Sequence, residues 1–477
     1  MKVFMNAAWL ALSRASTDAL SFVLFAVIAR SFGPAGSGEY SYAFALATLL
    51  ALFTTSGLEE YGIRQYARAA GQERAQLWSD LLWTQGAQLL CGLIVFVLLA
   101  LVGVFRPSRW LVVAELSLYL VGWMMARTLF IPAMAAQSMR VPALTDLACR
   151  LAAILAALAL GLTLGPPLPW LLAGFPLAGL ILLALAVRNA ARQGAALRSV
   201  PHWPGIRATA RQVAPFMGAD LLGQFYARTD LLLIAYFLGD ASVGLYATDV
   251  KFIEVGLLPM FLLGTAAYPL LSQYAVRDEQ AFAHSGRDLV RIIFFCAGWL
   301  SVGIYCLVPL LIVPLFGGKF VPAAQLLPWI ALLAIVKGVE TALYRVLYAA
   351  RRQTTYLFAL SAGTVLIVIL NVVLIPRFGL PGAIVAAAVS TACVDAICAA
   401  RLAQPLAFGF LPVTLLRLLL ALGGTAALLA AARWCAFGPW LTAVVGCVGF
   451  PLLGVLCGLM PDPRRSQLFH QTGPVVS

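Results

Sequence analysis

Apolar runs about 20 residues long, enough to cross a bilayer as a helix, recur along the chain and are separated by short polar connectors. The runs are apolar all round, without the polar–apolar alternation of membrane-barrel strands. They predict helices near 7–29, 41–57, 80–104, 111–131, 143–163, 168–187, 213–237, 243–270, 292–316, 325–347, 355–375, 382–400, 412–432 and 438–460. The pattern therefore predicts an all-α polytopic membrane protein with about 14 transmembrane helices. Cations in the connectors set its orientation. With the N-terminus inside, the inside connectors carry 18 Lys and Arg. The outside connectors carry six: Arg30, Arg106, Arg109, Lys319, Arg377 and Arg433. The positive-inside rule then places both termini in the cytoplasm. The outside connectors are too short to hold an external catalytic or receptor domain.

Composition supports the membrane reading and removes other classes. Of 477 residues, 62% are hydrophobic and 11% are charged, against about 25% charged in a soluble domain. A net charge of +13 would suggest nucleic acid in a soluble protein. Here the 28 Arg and four Lys lie mostly in connectors, with no basic face interleaved with aromatics, so no nucleic-acid partner is expected. The excess of Arg over Lys points to a GC-rich, bacterial genome. None of the nine Cys forms a CxxC pair or lies near a His at ligand spacing, so neither zinc nor a disulfide framework is predicted. There is no GxxxxGK[ST] phosphate loop, and ATP hydrolysis is not expected. The three His (His202, His284 and His470) fall in predicted cytoplasmic connectors. The chain reads as a non-enzyme without cofactor or metal.

An internal repeat organises the spans. FGPAGSGEY (32–40) and LGDASVGLY (238–246) are offset by 206 residues, matching Gly33 to Gly239, Ala35 to Ala241, Gly38 to Gly244 and Tyr40 to Tyr246. Each copy joins the first two helices of a half, where glycines suit a tight turn with closely approaching helix ends. The predicted organisation is an N-terminal six-helix bundle (1–190), a cytoplasmic basic linker (191–212), a C-terminal six-helix bundle (213–402), two additional transmembrane helices (403–460) and a cytoplasmic tail (461–477). An even number of spans per half gives both bundles the same orientation. Their pseudo-symmetry axis then runs along the membrane normal, with the substrate path between the bundles.

Three segments carry a resemblance: IARSFGPAGSGEYSYA (28–43), RTDLLLIAYFLGDASVGLYA (228–247) and NVVLIPRFGLPGAIVAA (371–387). They resemble hallmark stretches of bacterial polysaccharide exporters, within the multidrug/oligosaccharidyl-lipid/polysaccharide exporter superfamily, and the likeness runs over about residues 5–405. The resemblance implies two six-helix bundles in a V around a central cavity. It also implies a flippase that carries an undecaprenyl-diphosphate-linked oligosaccharide repeat unit from the cytoplasmic to the periplasmic leaflet of the bacterial inner membrane, for surface polysaccharide assembly. The partners expected are that lipid-linked oligosaccharide, membrane lipids, a proton or sodium ion, and a polysaccharide polymerase with its glycosyltransferases. A peptidoglycan lipid precursor flippase and a multidrug cation antiporter of the same superfamily are the alternatives. The latter should line its cavity with acids and aromatics, whereas several Arg and Lys lie within these spans. A membrane glycosyltransferase, polymerase or ligase would need a large external loop or an acidic sugar-nucleotide motif.

An ionisable residue near the bilayer centre costs about 2.5–3.5 kcal/mol and usually faces the bundle interior or a wet cavity. Such residues are Arg14 and Asp18 in the first span, and Asp220, Arg228 and Asp230 in the seventh. Others are Asp249, Lys251 and Glu254 in the eighth, Lys337, Glu340 and Arg345 in the tenth, and Asp395 in the twelfth. Two readings stay open. Arg14, Arg228 and Lys251 hold the diphosphate, whose oxygens match paired guanidinium donors; Asp18, Asp220, Asp230 or Glu254 then bind the coupling ion. Alternatively Arg14 with Asp18, and Lys337 with Glu340, are structural pairs locking helices together. Arg127 is expected to snorkel from a helix end, and Glu59 and Glu60 to offset Arg64.

Overall fold

The computed structural model describes residues 2–102, 109–136, 138–164, 167–194, 201–402 and 410–461. The tail expected at 461–477 lies outside the described residues apart from Pro461, as does part of the expected linker. The described residues are helical with no strand. They belong to two compact units, residues 1–235 with 239–244, and residues 236–238 with 245–477.

The first unit contains α1 (Lys2–Thr55), α2 (Leu58–Arg68), α3 (Gly71–Leu101), α4 (Trp110–Leu129), α5 (Ile131–Ala135), α6 (Arg140–Leu164), α7 (Leu168–Leu172), α8 (Gly174–Arg192) and nearly all of α9 (Trp203–Phe237). Most of α10 (Asp240–Arg277) lies in the second unit. There it is followed by α11 (Glu279–Cys306), α12 (Val308–Phe316), α13 (Val321–Ala324), α14 (Leu327–Ala349), α15 (Gln353–Phe378), α16 (Leu380–Leu402), α17 (Phe410–Trp434) and α18 (Pro439–Leu456).

Eleven helices among the described residues are long and apolar enough to cross a membrane. The number is twelve if Gly318–Ala324 and α14, bent by 61°, form one span. Two local features separate this number from the fourteen expected. Both of the first two predicted spans lie in α1, which consists of two helices joined across a kink at Gly33, where the backbone is non-helical (φ 70°, ψ −166°). Glycine takes that left-handed φ at little cost, and Pro34, lacking an N–H, restarts the helix. The seventh predicted span is α9, but its apolar half carries Asp220, Arg228 and Asp230 and it is not among the eleven. It begins at Trp203, inside the stretch expected to be a linker.

Close backbone approach builds the first unit, as expected where lipid removes most of the hydrophobic drive between helices. On α4 and α8, a methyl on Gly122 would lie 2.9 Å from the Gly179 carbonyl oxygen, and one on Gly179 would lie 3.0 Å from the Tyr119 backbone. A second cluster, with Leu58, Trp78, Leu81, Phe130, Ile131, Leu182 and Val213, gathers the short α2 and α5 against the longer helices. At its edge lies Arg127, the helix-end cation expected to snorkel. It pairs with Glu59 through two guanidinium nitrogens and stacks 5.0 Å over Trp123. Glu59 therefore answers Arg127, 68 residues away, which short-range charge pattern does not reveal. The Arg127 side chain keeps 42% of its surface, so Glu59→Gln is expected to cost at most about 1 kcal/mol. Chemical denaturation of that variant checks the value.

In the second unit α15 and α16 form a hairpin through Gly379 (φ 63°). The Ser390 hydroxyl donates to the Gly363 carbonyl at 2.7 Å. α14 packs on α16 and α11, and both α17 and α18 pack on α11. Phe450, fully buried, closes on the surface that Gly298 leaves open. The Trp299 indole donates to the Cys447 carbonyl at 2.9 Å. Outward faces stay apolar, as in Leu93, Val97 and Leu101 of α3 or Leu416 and Leu420 of α17, and suit lipid.

Candidate functional site

The repeated turns are the best-defined polar feature of the first unit. Gly33 and Gly239 both adopt positive φ, 70° and 80°. The matched glycines that follow meet each other's copy: Gly38 lies against the Asp240 carbonyl and Gly244 against the Pro34 carbonyl. Position 38 and its repeat mate 244 are thus where the two copies cross, and neither has room for a β-carbon. Around the crossing, the Ser37 hydroxyl donates to Pro34 O at 3.1 Å and the Ser41 hydroxyl to Ser37 O at 2.8 Å. Arg109 forms an ion pair with Asp240 and lies 4.9 Å over the Tyr42 ring. Glu39 is within Coulombic reach of both Arg109 and Asp240. Arg109 is only 5% exposed, although its place in an outside connector predicts a solvated orientation charge. The pairing spans 131 positions of sequence, and neither residue's local context signals it.

The expected site residues divide between the units. Asp18 and Asp230 are half-buried in the first, with Arg228, while Asp220 is exposed there. Arg228 places its guanidinium carbon 5.9 Å from the Phe44 ring, and Asp230 accepts from the Leu231 amide at 2.8 Å. Arg14 lies in α1, but its side chain is outside the described residues. Lys251 and Glu254 belong to the second unit and are brought together, Nζ to Oε2, at 2.6 Å across one turn of α10. Their separate expected roles, diphosphate contact and ion coupling, thus meet in one pair. Lys337 and Glu340 also pair, at 3.0 Å.

Two deeply buried polar side chains have no role from sequence. Asp249 is 0% exposed and neither carboxylate oxygen has a hydrogen-bond partner among the described residues. Asn371 is equally buried, with both amide atoms unpartnered. In sequence Asp249 is one intramembrane charge among several, and Asn371 one polar residue in an apolar run; only burial sets them apart. No group of three or more His, Cys, Asp or Glu side chains suited to a metal occurs among the described residues.

Comparison with known proteins gives this geometry a family. Residues 3–275 match the model of the family described as "Polysaccharide biosynthesis protein". The probable low-salt glycan biosynthesis flippase Agl15 of Haloferax volcanii is 30% identical over 178 residues, spanning 36% of this chain and 36% of that protein. In three dimensions the chain is similar to the lipid II flippase MurJ in an inward closed conformation, with TM-score 0.75 at 13% identity. That match covers 93% of this chain and 97% of the other. An inward-facing MATE family multidrug resistance transporter of the MOP superfamily follows at TM-score 0.57 and 12% identity, covering 82% of this chain and 95% of that one. At such identities the likeness establishes a shared fold. With more than half of its residues matched, this multi-pass membrane protein belongs to the polysaccharide biosynthesis protein family and has the fold of the MOP-superfamily transporters.

Proposed function

We propose that the protein is a flippase that moves an undecaprenyl-diphosphate-linked oligosaccharide repeat unit from the cytoplasmic to the periplasmic leaflet of a bacterial inner membrane, with both termini cytoplasmic. The family match over residues 3–275, on a fold shared with a lipid II flippase, carries this reading. Arg14, Arg228 and Lys251 contact the diphosphate, and Asp18, Asp220, Asp230 and Glu254 supply the acids for ion coupling. The Lys251–Glu254 pair gives the two roles a physical link. A diphosphate arriving at Lys251 competes with the Glu254 carboxylate for the same ammonium, so phosphate entry and the acid proposed for ion coupling act on one group.

The test uses the full chain in proteoliposomes with a fluorescent undecaprenyl-diphosphate oligosaccharide on one leaflet. Wild-type protein should translocate it, with lipid II and an organic cation moved more slowly. A hydrogen bond to a charged group is worth about 1.5–3 kcal/mol. Arg228→Ala should therefore slow translocation by about 10- to 100-fold while the protein still inserts and elutes as a single species. Translocation of lipid II alone, or of the organic cation alone, would replace this assignment with the corresponding relative's chemistry.

A further inference from the structure

Three arginines of the second unit gather where α11 and α17 begin and α18 ends. Arg287 and Arg291 lie one turn apart early in α11, and Arg417 lies two turns into α17. Both α17 and α18 pack on α11. A methyl on Gly454, in the last turn of α18, would lie 2.9 Å from the ring of Phe295, one turn beyond Arg291. The Arg291 guanidinium carbon sits 5.3 Å from the ring of Phe410, the first residue of α17. Arg417 donates to the Gly458 carbonyl at 2.9 Å, just past the end of α18. All three arginines are half-buried.

A cation that serves only to orient the chain reaches into water. Arg291 does not: it lies over an aromatic ring, and its Nε is buried with no hydrogen-bond partner among the described residues. Arg287 donates to the Ala283 carbonyl of its own helix at 3.2 Å, and the Arg417 bond is also to backbone, so neither contact supplies a counter-charge. The charges acting on Arg291 are Arg417 and Arg287, which repel it, and Asp288, which attracts it. Asp288 is buried, and its Oδ2 lies 3.4 Å from His284 Nδ1. Asp278 is occupied at the start of α11, where it accepts from the Ala281 amide at 2.9 Å. One carboxylate thus faces three guanidinium groups, an excess of two positive charges. Charges withdrawn from water are unfavourable without a counter-charge. Guanidinium groups match phosphate oxygens with paired donors, and basic pockets between membrane helices suit phospholipid headgroups. The surroundings favour a lipid over a soluble anion. Val413 and Leu416, between Phe410 and Arg417, and Leu456, two residues before Gly458, are exposed apolar side chains. We infer that Arg287, Arg291 and Arg417 form a headgroup site for an anionic phospholipid held at this end of α11, α17 and α18. The excess of two charges matches a headgroup with two phosphates, as in cardiolipin.

The inference does not depend on which substrate is carried, so a failed translocation assay leaves its test readable. Purified full-length protein, stripped of lipid in detergent, is unfolded thermally while one of four probes is titrated in. The probes are cardiolipin, phosphatidylcholine, inorganic pyrophosphate and the undecaprenyl-diphosphate oligosaccharide. A ligand that binds only the folded state raises the unfolding midpoint. Cardiolipin should raise it at a lower concentration than any other probe. A hydrogen bond to a charged group is worth about 1.5–3 kcal/mol. Arg291→Gln should therefore raise the half-saturating cardiolipin concentration by about 10- to 100-fold. Arg433→Gln, at the other end of α17, should leave it unchanged. If Arg291→Gln fails to fold, Arg287→Gln carries the same expectation. An equal shift from phosphatidylcholine or pyrophosphate, or unchanged half-saturation in the folded arginine variant, would overturn the site. So would a shift at lower concentration from the undecaprenyl-diphosphate oligosaccharide that Arg291→Gln abolishes, because the arginines would then serve the carried substrate.

Discussion

Leucine at Gly38 or Gly244 is expected to prevent the protein from assembling, and alanine at either position to lower its thermal stability sharply. A β-carbon on Gly38 would sit 2.9 Å from the Gly244 nitrogen and closer still to the Asp240 carbonyl. One on Gly244 would sit 2.8 Å from the Pro34 carbonyl carbon and 2.7 Å from the Ser37 hydroxyl. Apart from that hydroxyl, the obstructing atoms are backbone, so no rotamer change relieves the overlap and the two turns must separate. Overpacking of this kind costs about 1–3 kcal/mol per added group and more when the backbone has to move. Gly218→Ala is the control. No atom lies within 4 Å of its added carbon, and its melting point should match or slightly exceed wild type, since alanine favours a helix. Fluorescence-detected size exclusion after a heating series reads all these variants. A Gly244→Leu protein that elutes and melts like wild type would show that the two turns do not cross at their glycines.

The second large effect is expected at the Arg109–Asp240 pair. Removing one partner of a buried ion pair leaves the other charge without compensation, at about 3–5 kcal/mol. Asp240 retains 24% of its side-chain surface while Arg109 retains 6%. Arg109→Met therefore leaves a carboxylate that water still reaches and should fall at the lower end of that range. Asp240→Asn strands the more deeply buried guanidinium over Tyr42 and should fall at the upper end. The double variant Arg109→Met, Asp240→Asn should recover part of the loss, because neither member of the pair is left charged without the other. Unfolding midpoints of the two single variants and the double variant form a cycle that isolates the pair. The burial of Arg109 also predicts that raising salt to about 1 M, where the Debye length is near 3 Å, leaves the cycle almost unchanged. Additive losses would mean that the two residues act separately.

The apolar runs made most of the fold legible, because a membrane helix must satisfy its own backbone hydrogen bonds and so advertises its length. The number of spans was harder to read where two helices follow each other across a one-residue kink, as at Gly33 in α1, and where charge dilutes a span, as with Asp220, Arg228 and Asp230 in α9. The match of Gly38 to Gly244 was visible as a repeat. That the two copies touch was not, since offset alone does not say which symmetric positions meet. Charges were legible as a set and not as pairs. Lys337 with Glu340 and Lys251 with Glu254 follow from helical spacing, which puts residues three apart on one face. Arg127 with Glu59 and Arg109 with Asp240 join residues distant in sequence, and helix packing alone decides them. Asp395 and Asp249 show the remaining gap, because the depth of a carboxylate within a bundle is set by its neighbours and not by its own segment.

The last two helices lie outside the sequence repeat, yet α18 lends Phe450 to the surface above Gly298 and the Cys447 carbonyl to the Trp299 indole. A chain stopped after Leu402 would keep both copies of the duplicated turn but would strand that indole N–H in hydrocarbon and open a furrow along α11. The C-terminal hairpin is therefore fixed cladding for one wall of its own unit, and shortening the protein from that end removes insulation before it removes any part of the duplicated architecture.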